Sequence, residues 1–121
     1  ALNRYRLSQG RPVLEYSRVL EEAANAHARD MYERGFFDHI NPDGESPLER
    51  AEAAGFCRMH AIGENIAWNQ RDVAEVQEAW ENSPSHDANM LSTSYRYVGM
   101  GYYLSPVGPY WVQEFGDVFP E

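Results

Sequence analysis

The chemistry of this chain centres on Glu64, which sits in Gly63-Glu64-Asn65-Ile66-Ala67-Trp68, an otherwise small or apolar, strand-like run. An ionised carboxylate half-buried in such a run needs hydrogen bonds or a cation, so other residues must converge on it. His39 and His86 are the candidates, one before this run and one after it, each in a turn-forming setting. Two imidazoles and a carboxylate from separate elements suit a divalent cation such as zinc, with Glu64 either binding the ion or orienting its water. The same three groups also suit a structural hydrogen-bond network that braces the loops carrying them. Spacing does not choose between these, because the residues are far apart in sequence, unlike a compact His-Glu-x-x-His helix motif.

Other reactive side chains fit bland roles better. Cys57 is the one cysteine; it has no disulfide partner and no second thiolate for a metal, and a small buried thiol is its expected state. A nucleophilic pair of Cys57 with His60 has only their nearness in sequence behind it. Ser83 and Ser85 flank Pro84 next to His86, where serine is usually a cap or a turn. His27 shares a helical stripe with Leu20, Ala23, Ala24, Ala28, Met31 and Tyr32 and is read as core packing.

The elements that position these residues are legible from caps and periodicity. A short helix over 1–9 stops at Gly10 and Pro12. Ser17 caps a long helix that ends before Gly35. His39 then stands at the mouth of a tight loop, since Asn41-Pro42 and Asp43-Gly44 are both turn signals. Ser46-Pro47-Leu48-Glu49 has the pattern of a capping box with proline at the first helical position, and Gly55 ends that helix. Composition turns strand-like over 56–68. Asp72, with Glu75 in the third position, opens a helix through Val76 and Trp80 that stops near Asn82, because the residue before Pro84 avoids helical geometry. His86 is placed on a turn after that break, followed by a short turn at Asn89-Met90-Leu91. Val98-Gly99-Met100-Gly101-Tyr102 reads as a strand whose bare glycine face allows close backbone approach, and Tyr110 to Phe115 as its hairpin partner.

The whole chain, 1–121, is read as one domain, long enough to bury a core without staples. Eight Tyr, five Phe and three Trp argue for packing rather than disorder. A formal net charge of −9, with no lysine, disfavours nucleic acid and anionic membrane surfaces as partners. No apolar run reaches membrane-spanning length, and no signal peptide is read at the start, so a mature or trimmed form is expected.

Several phrases, in this order, resemble the CAP superfamily of cysteine-rich secretory, antigen five and pathogenesis-related one proteins. They are His39-Ile40-Asn41-Pro42-Asp43-Gly44, Gly63-Glu64-Asn65-Ile66-Ala67, Trp80 followed by Ser83-Pro84-Ser85-His86, Asn89-Met90-Leu91, Val98-Gly99-Met100-Gly101 and Tyr110-Trp111-Val112-Gln113-Glu114-Phe115-Gly116. Asn3, Arg4, Ala24, His27, Asp30 and Met31 match too, and the likeness is strongest to the short bacterial branch. The resemblance implies an α+β fold, an α-β-α sandwich with a three-stranded antiparallel sheet between helical layers. It implies a secreted or cell-envelope location and a cleft lined by two histidines and two acids that can hold zinc or another divalent ion. His39 and His86 match the histidines and Glu64 the first acid. The second acid does not carry over: Ser83 stands at its place, and Glu81 lies at a different helical angle. No organic cofactor is implied.

Two functions follow as expectations. The preferred one is a non-catalytic surface module whose cleft binds a divalent ion and a ligand, such as a lipid, a sterol or a cell-wall component. The alternative is a metal-dependent peptide or ester hydrolase, in which Glu64 accepts a proton from metal-bound water.

Overall fold

A computed structural model describes residues 1–119 of the chain; the last two positions of the expected domain lie outside the described residues. The elements run α1 (Leu2–Ser8), β1 (Glu15–Tyr16), α2 (Arg18–Glu33), α3 (Pro47–Ala53), β2 (Met59–Trp68), α4 (Val73–Glu81), α5 (Pro84–Leu91), β3 (Tyr97–Ser105) and β4 (Gly108–Val118). The caps do what the sequence requires of them. Ser17 accepts from Leu20 N, Asp72 accepts from Glu75 N, and Ser46 and Glu49 close a reciprocal capping box with Pro47 behind it.

The sheet order is β1-β3-β4-β2. Strands β2, β4 and β3 pair antiparallel, as expected. A fourth strand, β1, joins parallel to β3 through Glu15 and Tyr16 alone. Two residues are too few to show a period-two pattern, which is why the sequence predicts three strands. The second departure concerns His86. It lies on the first turn of α5 rather than on a turn, because Pro84 at the first helical position starts a new helix while its predecessor Ser83 ends the old one.

Helices cover both faces. On one, Trp111 and Phe115 of β4 pack with Leu2, Val76, Trp80 and Met90 from α1, α4 and α5. On the other, Val112 and Ile66 pack with Ala24, Ala28 and Met31 of α2, and α3 adds Ala51 beside Leu20. Gly99 and Gly101 let α2 lie against β3: a Cβ at Gly99 would sit 2.2 Å from Glu21 N, and one at Gly101 2.2 Å from the Ala24 carbonyl carbon. Side-chain alternation then fixes the site. Glu64 and Glu114 share the α2/α3 face with Ile66 and Val112, whereas Asn65 and Gln113 share the α4/α5 face with Ala67 and Trp111.

Candidate functional site

Glu64 lies opposite Glu114 across β2 and β4, and both side chains are fully enclosed, at 1% and 0% exposure. Arg50 of α3 supplies the cation. Its Nη2 donates to Glu64 Oε2 at 2.9 Å and Oε1 at 3.2 Å, and also to the His39 carbonyl at 2.6 Å. Its Nη1 is 3.5 Å from Glu114 Oε1. His39 closes the other side, with Nδ1 2.7 Å from Glu64 Oε1. His27 Nε2 lies 3.9 Å from the same oxygen and donates to the Asp38 carbonyl at 2.9 Å. One carboxylate thus ties β2 to α3 and to the loop before it.

The sheet's other face brings α5 to the same strand. Asn89 Nδ2 donates to the Glu64 carbonyl at 3.2 Å and to Asn65 Oδ1 at 3.0 Å. Asn65 Nδ2 in turn donates to the His86 carbonyl and to Gln113 Oε1, both at 3.1 Å. These amides engage the Glu64 carbonyl of β2 and tie the strand to the first turn of α5. His86 Nδ1 is 2.8 Å from Ser83 Oγ, so the serine in the expected acid's place orients the imidazole. Glu81 goes elsewhere: it lines a surface groove with Arg4, Tyr5 and Ser8 of α1.

The charges follow from this packing. Burial would raise the Glu64 carboxyl, but Glu114, His39, Arg50 and His27 outweigh it and hold it at about 2. Glu114 moves the opposite way, well above the usual carboxylate range, through burial and then the adjacent Glu64. Two enclosed carboxyls beside one guanidinium divide the roles, one ionised and one protonated. His39 is raised by its hydrogen bond to Glu64. His27 is lowered by burial, and His86 is lowered by burial and then by the charge of His39.

This geometry bears on the metal chemistry expected from the sequence. Glu64 is saturated by Arg50 and His39 and shut from solvent, so it is not placed to ligate an ion or take a proton from its water. With Nδ1 of His39 on Glu64 and Nδ1 of His86 on Ser83, the two Nε2 atoms are the donors left. Among the described residues, no three His, Cys, Asp or Glu side chains are grouped as a held metal requires. The donor set does not fit a resident zinc. Arg50, Glu114, His27 and Asn89 belong to the network, and the sequence reading placed none of them there. Arg50 follows the capping box in α3 and Glu114 alternates within β4, so each reads locally as an ordinary exposed charge.

A cavity of about 540 Å³ opens on the α1/α4 face, lined by Leu2, Val76, Trp80, Val98, Met100 and Trp111 among others. Three of its polar neighbours bond within the protein. Asn3 pairs with both main-chain groups of Leu14, Asn25 accepts from Tyr102 N, and Gln113 holds Asn65 and Met100.

Residues 1–115 match the cysteine-rich secretory protein family, CAP. The chain belongs to the CAP family. Among CAP relatives it is 36% identical over 113 residues to YkwD of Bacillus subtilis, covering 93% of this chain and 43% of YkwD; it therefore spans less than half of that relative. An extracellular protein of Bacillus anthracis containing an SCP domain superposes with a TM-score of 0.87 at 25% identity, over 95% of this chain and 37% of that one. An outer surface protein of Borrelia burgdorferi gives 0.90 at 23% identity, over 98% and 87%, which supports the α-β-α sandwich alone. Among the described residues, no helix is long and apolar enough to cross a membrane.

Proposed function

We propose that this CAP domain is a non-catalytic module of the cell surface or extracellular space that holds an acyl chain or similar elongated apolar molecule between α1, α4 and the sheet. The observation that carries this is the cavity of about 540 Å³, walled by Leu2, Val76, Trp80, Val98, Met100 and Trp111. Its volume falls within the range of small-molecule sites. The Glu64 network acts as the clamp that keeps the sheet and helices in register. A surface location is supported by two fold relatives, one an outer surface protein and the other an extracellular protein. The charge of −9 without lysine disfavours nucleic acid. Hydrolysis is not part of this reading, since the carboxylate that would act as base is buried under Arg50.

Isothermal titration with a long-chain fatty acid tests it. The expected result is saturable binding with a negative heat-capacity change, as apolar burial requires. Val73 is half exposed and lines the cavity, so Val73→Tyr narrows the entrance and weakens binding. Absence of saturable heat, or affinity unchanged by Val73→Tyr, contradicts the assignment.

A further inference from the structure

Across the sheet from the apolar cavity, between α2 and α3, lies a second cavity of about 450 Å³. Ala26 and Ala53 leave it open, Glu22 and Glu45 line it, and His27 and Arg50 reach it from the interior. The other end of Arg50 holds Glu64, and the other end of His27 lies 3.9 Å from it. His27 is 1% exposed; because its Nε2–H donates to the Asp38 carbonyl, Nδ1 is a lone-pair acceptor. That atom has no partner among the described residues. The Arg50 side chain is 10% exposed, and its Nε–H also lacks a partner there. An unmet buried donor and an unmet buried acceptor each carry a desolvation cost and call for a ligand or a water.

The other charged groups around the cavity are largely paired. Asp30 holds Arg34 at 2.6 Å, Glu33 holds Arg29 at 3.1 Å, and Glu45 accepts from Asn41 at 2.9 Å. A carboxylate ligand would meet Glu22 and Glu45, and an ammonium ligand would meet Arg50. Hydroxyl groups match both demands, since each accepts from an N–H and donates to a ring nitrogen. We propose that this cavity is a binding site for a neutral polyhydroxylated ligand of sugar size, its hydroxyls engaging His27 Nδ1 and Arg50 Nε. This site is independent of the apolar cavity on the opposite face.

The test is an NMR titration of isotope-labelled protein with glucose and glycerol, with glucosamine and gluconate as charged analogues. The expected result is a saturable shift of α2 and α3 amides by glucose, with a millimolar dissociation constant. Ala26 is exposed, so Ala26→Trp fills the cavity without touching the core, and it weakens the response at least about tenfold at unchanged melting temperature. No saturable shift means that ordered water alone meets the two buried atoms, and overturns the proposal. It is equally overturned if gluconate or glucosamine binds and glucose does not, or if Ala26→Trp leaves the glucose response intact.

Discussion

Glu64 is enclosed yet ionised, so its stability depends on the Arg50 guanidinium and the His39 ring that bond it. Its need for partners is readable from a carboxylate in an apolar run, and His39 does meet it at 2.7 Å. What the sequence does not reveal is the cation, because Arg50 is one of ten arginines with no local sign that it turns inward. Removing the charge of Glu64 leaves that guanidinium uncompensated, so Glu64→Gln is expected to cost about 3 kcal/mol in chemical denaturation. Glu114→Gln should behave oppositely. The native state keeps Glu114 protonated above its unfolded value, so raising pH costs stability, and glutamine, which has no proton to retain, removes that cost. The shifted carboxyls and histidines together set a pH profile. The Glu64 contribution is complete above its unfolded value near 4.5 and is lost as pH falls towards about 2. The His39 contribution is present below its unfolded value of 6.5 and is lost as pH rises through the folded one. Thermal melts across a pH series should peak in mildly acidic solution, near the unfolded histidine value of 6.5, because the lowered His27 and His86 lose stability as pH falls below it while His39 and Glu114 lose it as pH rises, and Glu114→Gln should flatten the alkaline limb. A maximum in alkaline solution, or equal losses from Glu64→Gln and Glu114→Gln, contradicts the division of charge between the pair.

Among the elements, those with strong local signals were legible and those made by tertiary context were not. Ser17, Ser46 and Asp72 each cap the helix that their sequence announces. Ser46→Ala should therefore cost about 1 kcal/mol, read as a lowered denaturation midpoint at unchanged slope. Strand β1 escapes notice because its two residues acquire their pairing from β3. Helix α5 escapes because a proline that stops α4 also starts the next helix, and eight residues with one buried side chain, Met90, give almost no periodicity. The glycine face of β3 was legible as a place of close approach; the structure adds that α2 is what approaches. Gly101→Ala pushes a methyl into the Ala24 main chain, which cannot rotate away as a side chain could. The expected loss is about 2–3 kcal/mol, measured by urea denaturation, and full stability would show that α2 is not held this closely.

The whole molecule is a four-stranded sheet between two helical layers, with different chemistry on its two faces. The α2/α3 face carries the enclosed charges and a cavity with unmet polar atoms among the described residues; the α1/α4 face carries a cavity walled mainly by aliphatic and aromatic side chains. Family membership and sandwich architecture were legible from motif order. The cavities were not, because Leu2, Trp80, Val98 and Trp111 come from four separate elements and each reads as ordinary core. Trp80 and Trp111 both line the apolar cavity, so they report directly on its contents. The decisive measurement is therefore tryptophan emission during titration with a long-chain fatty acid brominated along its chain. The account predicts saturable quenching that an excess of the unbrominated acid reverses and that Val73→Tyr weakens, with His39→Ala leaving it intact. Emission that does not change, or quenching that His39→Ala abolishes in a folded protein, would contradict it.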